Sequence, residues 1–328
     1  MGLSGVIPRC LGLWVLVLMA WASPAMALST TWTGATDSDY NTASNWTAGV
    51  PGAADDALFT GSPANSCVVP AGAFALLTLT LDATFTGSLT LGSQPFTVHS
   101  SVSLLGGTFN ANGQTLVIDN ASAAVLTLDS GATFTAAGLT KSGAGLLQVA
   151  GTAAGLSLGA LTISAGGLDA SGRFISVLGA TTLSGNLTLT GAPNSFGGSV
   201  TVDGVLTVNG TTDFNSALTV NAAGTLSNTA ACVIRFDETA LTQVQGTISI
   251  SPASGLTDLV STTASNAWDL NLTGAAGATF SNVRVQDGNV LGSVSPTATN
   301  GVDLGNNTLN PPSNPGWIGL IAGMVWIG

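Results

Sequence analysis

From Leu76 to Ile250 the chain alternates apolar and hydroxylated β-branched residues in short bursts. Examples are Leu77-Thr78-Leu79-Thr80-Leu81, Leu89-Thr90-Leu91, Leu161-Thr162-Ile163, Leu187-Thr188-Leu189, Val200-Thr201-Val202, Leu206-Thr207-Val208 and Leu218-Thr219-Val220. A period of two buries one face of a strand, and the Gly, Asn, Asp or Ser closing each burst turns the chain. One such burst cannot bury its apolar side alone. Repeated units of this kind gain stability by stacking on their neighbours, which predicts a repeat solenoid. Helix-period patterning and capped helix starts are missing from the body of the sequence. The spacing of the turns predicts an all-β parallel β-helix with two or three strands per coil and coils of about 20 residues.

The flanks of this body read differently. Residues 1–27 combine Arg9, an apolar run from Cys10 to Trp21 and the small residues Ala25 and Ala27. That run is short of the ~20 residues a spanning helix needs. It reads as a cleavable export signal, with cleavage expected after Ala27 and a secreted or cell-surface product. Residues 28–62 gather Trp32, Tyr40 and Trp46 in one stretch, an aromatic N-terminal cap over the first coil. Residues 63–290 form the repeat body, where Trp268-Asp269-Leu270-Asn271-Leu272 and Val283-Arg284-Val285 still alternate. Residues 291–328 close it, with Pro311-Pro312-Ser313-Asn314-Pro315-Gly316 as a break. Beyond the break, Val325-Trp326-Ile327-Gly328 repeats the pattern of Thr31-Trp32-Thr33-Gly34. Two readings follow from that: a strand tucked over the last coil, or the start of a further unit in a longer surface protein of which this chain is a fragment.

Charge narrows the partners. The net charge of -11 and a pI near 4.1 leave Lys141, Arg173, Arg235 and Arg284 as the basic residues after the leader. Nucleic acid is therefore not expected as a partner, because binding it requires clustered Lys and Arg. With 6% charged residues the acidity is dispersed, and Thr, Ser and Asn replace charge as the polar surface. The 43 glycines fit turn-dense β structure. Cys67 and Cys232 would ordinarily suggest a disulfide in an exported chain. In a linear solenoid with coils of about 20 residues they stand on the order of 40 Å apart, so both are expected to be free thiols.

Several stretches carry a family likeness. Trp32-Thr33-Gly34, Ala43-Ser44-Asn45-Trp46, Gly49-Val50-Pro51 and Asp55-Asp56 resemble the opening segments of bacterial exported surface proteins, autotransporter-like, whose passenger is a right-handed parallel β-helix. Asn282-Val283-Arg284-Val285-Gln286-Asp287, Asn300-Gly301-Val302, Gly305-Asn306-Asn307 and Gly316-Trp317 are similar to the ends of such segments. The resemblance implies export, a β-helix and a surface, adhesin-like role. It implies no reaction.

His99 is the single histidine, and no Gly-x-Ser-x-Gly elbow accompanies it, so it reads as an outward-facing strand residue. One His and two distant Cys cannot assemble a transition-metal site. Asp37, Asp39, Asp55 and Asp56 in the cap offer oxygens of the kind calcium takes, the alternative being turn-capping carboxylates. Glycan cleavage would need a base beside carboxylates, or paired carboxylates in a groove. Asp237-Glu238, near Arg235, is the one adjacent acidic pair in the body, and neighbours on a strand face opposite ways unless a turn intervenes. The sequence thus nominates no catalytic, cofactor-binding or metal-binding residue and no cofactor. It predicts a structural or adhesive surface protein without catalysis, whose partners are glycans or other surface proteins, with no membrane-spanning segment in the mature chain. The alternative is a β-helical polysaccharide lyase or hydrolase with its groove at Arg235–Glu238, which would show one flank of clustered carboxylate, basic and aromatic residues.

Overall fold

A computed structural model describes residues 27–72, 74–273, 277–309 and 316–322. The leader up to Met26 and the Val325-Trp326-Ile327-Gly328 motif lie outside the described residues. The alternating bursts become short strands: in Thr78–Leu81 the leucines are buried and the threonines half-buried on the outer side. Ladder pairing between strands is parallel and joins each coil to the next. Three faces result. One runs from Ser29–Trp32 to Thr297–Asp303, a second of eleven strands from Phe74–Leu76 to Gly288–Gly292. The third runs from Cys67–Val68 to Ile318–Ala322. The chain is an all-β parallel β-solenoid of about 12 turns.

Register keeps buried residues over buried residues. On the second face Leu161, Thr181, Val200, Leu218 and Thr242 are successive partners, and all are buried. On this face coil length varies from 18 residues (Val200 to Leu218) to 28 (Thr242 to Leu270), with the difference absorbed at the corners. Inside, Phe196, Phe214, Phe236 and Trp268 form a ladder with ring centroids 5.5, 5.9 and 4.5 Å apart. Glycine has a specific place here. Gly166, Gly185 and Gly204 stack at one corner, each where an added Cβ would run into the carbonyl of the glycine one coil earlier.

The aromatic cap is built into the ladder. Ser29–Trp32 pairs with Asp56–Phe59, which pairs with Thr78–Leu81, so residues 28–62 supply the first rungs as well as a cover. Trp32, Tyr40, Trp46 and Phe59 meet edge to face or tilted at 5.1–6.1 Å. The indole nitrogens of Trp32 and Trp46 donate to the carbonyls of Asn65 and Tyr40 at 2.9 and 2.7 Å. A second cluster closes the other end, where Trp317 packs on Phe280 at 4.9 Å and Trp268 at 6.4 Å.

Three features depart from the simple pattern. Thr181, Thr212, Thr242 and Thr257 face inward, although threonine was expected outside. Thr212 meets its own need by donating to the Gly210 carbonyl at 2.9 Å, and its shape is close to that of valine. Lys141 is also inward, at 0% exposure, between Ile118 and Ile163 in the register. Finally, the third face is split. Among the described residues no ladder and no backbone hydrogen bond joins Thr133–Thr135 to Gly155–Leu158, while the other two faces run through.

Candidate functional site

The charged residues of the third face gather on one flank. Asp213 and Arg235 are ladder partners with side chains on the outer surface, and Arg235 Nη1 donates to Asp213 Oδ1 at 2.7 Å. Asp258 and Arg284 are partners one column over. Arg284 grips Asp258 through two nitrogens, at 2.5 and 2.6 Å. Those bonds from Asp258 raise the Arg284 pKa further. Parallel pairing creates these contacts, because it sets each outward side chain over the one a coil away.

Asp237 and Glu238 do not sit on a strand. The strand Val233–Phe236 ends before them, so the turn between strands removes the opposite-face geometry that adjacent strand positions would impose. Asp237 Oδ1 accepts from the backbone and the hydroxyl of Thr239, at 2.6 and 2.7 Å. Glu238 reaches up one coil, where Thr262 Oγ1 donates to it at 2.8 Å. The Thr263 hydroxyl, its own backbone and Thr262 hold its pKa down at about 2, from 4.5. Glu238 is therefore a firmly ionised acceptor.

This flank joins carboxylate with basic residues but not with aromatics, since Phe214, Phe236 and Trp268 lie in the interior behind it. Each of its carboxylates already accepts from a guanidinium, a hydroxyl or a backbone N–H. A hydrolytic pair needs one carboxyl poised to give a proton. Glu238, held as the anion by its hydroxyl donors, is unsuited to that part.

The other candidates are placed as follows. His99 follows the strand Phe96–Val98, half-exposed, with Nδ1 2.6 Å from Asp119 Oδ1. In the cap, Asp37 accepts from the backbone of Asp39 and from Asn45 Nδ2, and its pKa is lowered chiefly by Asn45. Asp39 caps Asn41, Asp55 accepts from the backbone of Leu28 and Gly52, and Asp56 accepts from Thr78 at 2.6 Å. The four carboxylates act as separate turn and ladder caps. Among the described residues no group of three or more His, Cys, Asp or Glu is arranged to hold a metal. Cys67 and Cys232 are free, with burial raising both thiol pKa values.

One hollow opens on the first face. It has a volume of about 660 Å³ and is lined by Leu146, Ser164, Gly166, Ser184, Asn186 and Thr188. Gly166, Gly167 and Gly185 form part of its lining. Sequence reading missed it because a depression over three coils shows only when the coil register is known.

These features define a parallel β-solenoid on one flank of which Arg235 and Arg284 are paired with Asp213 and Asp258. The chain matches no family model, no curated protein and no solved structure. Among the described residues no helix is long and apolar enough to cross a membrane.

Proposed function

We propose that the chain is an exported structural rod of the cell surface, without catalysis, that adheres to glycans or to other surface proteins through uncharged hydrogen-bonding faces. The observation that carries this reading is the hollow on the first face, with Ser164, Ser184, Asn186 and Thr188 around Leu146. Hydroxyl and amide groups beside an apolar patch match the alternating hydroxyl and C–H surfaces of a sugar. Each contact is weak, and a rod presents many of them. Ladders that run unbroken along two faces and an aromatic cluster toward each end favour stiffness. The leader-like residues 1–27 and the likeness to autotransporter-like passengers support export.

Two measurements test it. After expression in a bacterial host, the protein should leave the cytoplasm and its N-terminus should read from Leu28; retention inside with Met1 intact would contradict export. The purified chain, immobilised, should retain neutral oligosaccharides about equally at low and high salt, because the contacts are uncharged. Asn186→Ala should weaken that retention. No retention of any glycan tested, or retention abolished by salt, would contradict the adhesive reading.

A further inference from the structure

The second face carries the most regular outer surface of the molecule. Thr140, Thr162, Thr182, Thr201 and Thr219 are the central outward residues of five successive strands, each the direct ladder partner of the next. Thr182 is exposed and the other four are half-buried. Two residues further along each strand direction stand Ser142, Ser164, Ser184, Asp203 and Asn221. Each of these donates its backbone N–H to the coil before it, so the second row keeps the register of the first. Gly138, Ala160, Ala180, Ser199 and Ala217 border the threonines on the other side and keep that border low.

Three properties set this strip apart. The first is spacing, because parallel pairing holds the threonines ~4.8 Å apart along the row and the two rows about 6.6 Å from each other. Threonine is stiff at χ1, so the row is ordered by folding and little freedom is left to lose on binding. The second is vacancy for hydrogen bonds. Among the described residues, no hydroxyl of the five threonines or of Ser142, Ser164 and Ser184 bonds to another protein group, whereas first-face hydroxyls pair, as Thr78 does with Asp56 and Thr207 with Ser227. The third is neutrality. Asp203 is the one charged side chain in the three rows, and Asn221 already donates to it at 2.8 Å.

A complementary surface is therefore uncharged, offers hydrogen bonds, and repeats at the strand spacing over five rungs. An ionic mineral fails the first condition. A β-linked glucan fails the third, since its sugar repeat is longer than the strand spacing and drifts out of register along the row, and no aromatic side chain stands in these rows to stack on a sugar ring. Oxygen rows on the surface of ice are neutral, donate and accept, and repeat close to the strand spacing. We propose that the second face, centred on Thr140, Thr162, Thr182, Thr201 and Thr219, binds crystalline ice. The hydroxyls hold a row of water molecules at the ladder spacing, and that row joins the crystal. This inference uses a different face from the hollow around Asn186 and does not depend on the adhesive reading.

The test is a single ice crystal held just below its melting point in a solution of the purified chain. Wild type should facet the crystal and stop its growth over a temperature gap that buffer alone does not show. Thr182→Tyr should lose both effects while its circular dichroism and melting stay those of wild type, and Thr162→Tyr provides the same test one coil earlier if Thr182→Tyr does not fold. Ser176→Tyr, outward on the third face, should keep both effects. A wild type that leaves crystal shape and growth unchanged would overturn the proposal. So would folded Thr182→Tyr or Thr162→Tyr acting like wild type, or Ser176→Tyr losing as much as they do. Retention on crystalline cellulose that Thr182→Tyr removes, in a chain without effect on ice, would also overturn it and assign the face to a glucan.

Discussion

Phe214→Ala removes the middle ring of the interior ladder and tests whether the solenoid behaves as a one-dimensional stack. Phe214 is buried, with Phe196 at 5.5 Å and 14° on one side and Phe236 at 5.9 Å and 18° on the other. A phenylalanine buries ~150–250 Å² in all, and at ~25 cal/mol per Å² that corresponds to roughly 4–6 kcal/mol. Alanine retains part of this, while two lost ring pairs add about 0.5–1.5 kcal/mol each. The expected cost is ~4 kcal/mol, within the range measured for such truncations. Nearest-neighbour coupling confines the loss to adjacent coils. Hydrogen exchange read by mass spectrometry should show the strands Asn194–Phe196, Thr212–Phe214 and Val233–Phe236 opening about a thousand-fold more often, at 1.4 kcal/mol per factor of ten. The strand Thr78–Leu81 should be unchanged. Acceleration below about tenfold would mean that the ladder is not tightly packed. Equal acceleration at Thr78–Leu81 would refute the one-dimensional picture.

Further outcomes follow from the same geometry. Trp46→Ala should cost ~3–5 kcal/mol locally, seen as faster exchange in Ser29–Trp32 and Asp56–Phe59 with residues near 200 protected. Thiol titration of the denatured protein, leader removed, should find both Cys67 and Cys232 free, and dimerisation through cysteine should be absent. Arg235→Ala breaks a partly exposed ion pair with Asp213, so its effect on thermal stability should stay under ~1 kcal/mol. Glu238 is held at about 2 in the folded chain against 4.5 ordinarily, so its stabilising effect is present above pH 4.5 and lost as pH falls through about 2. The difference in melting temperature between wild type and Glu238→Gln should therefore close across that acidic window.

Much of the fold was legible in the bursts themselves. Leu77-Thr78-Leu79-Thr80-Leu81 states which side chains go inside, and the structure buries Leu79 and Leu81 as the period of two requires. The separation of Cys67 and Cys232 rules out a bond once coils are assumed, and both are free. Lys141 shows where two local rules compete. Alternation with Leu139 favours the interior and its charge the surface; the structure sets it in register with Ile118 and Ile163. The turn at Asp237-Glu238 stayed open in the sequence because no glycine or proline marks the end of Val233–Phe236. Pairing of Arg284 with Asp258, 26 residues earlier, depends on coil lengths that vary from turn to turn, and alternation alone does not carry them. The same holds for the Phe196, Phe214 and Phe236 ladder and for the seam of the third face.

The central claim is that this solenoid is a rod and not a glycan-cleaving enzyme. Its most direct test is to incubate the purified chain with a panel of neutral and acidic polysaccharides and to follow new reducing ends together with unsaturated sugar products. The account predicts neither product above the level of a heat-denatured control, for wild type and for Glu238→Gln alike. Product release by wild type that Glu238→Gln or Arg235→Ala abolishes would contradict it and would make the Arg235–Glu238 flank an active site.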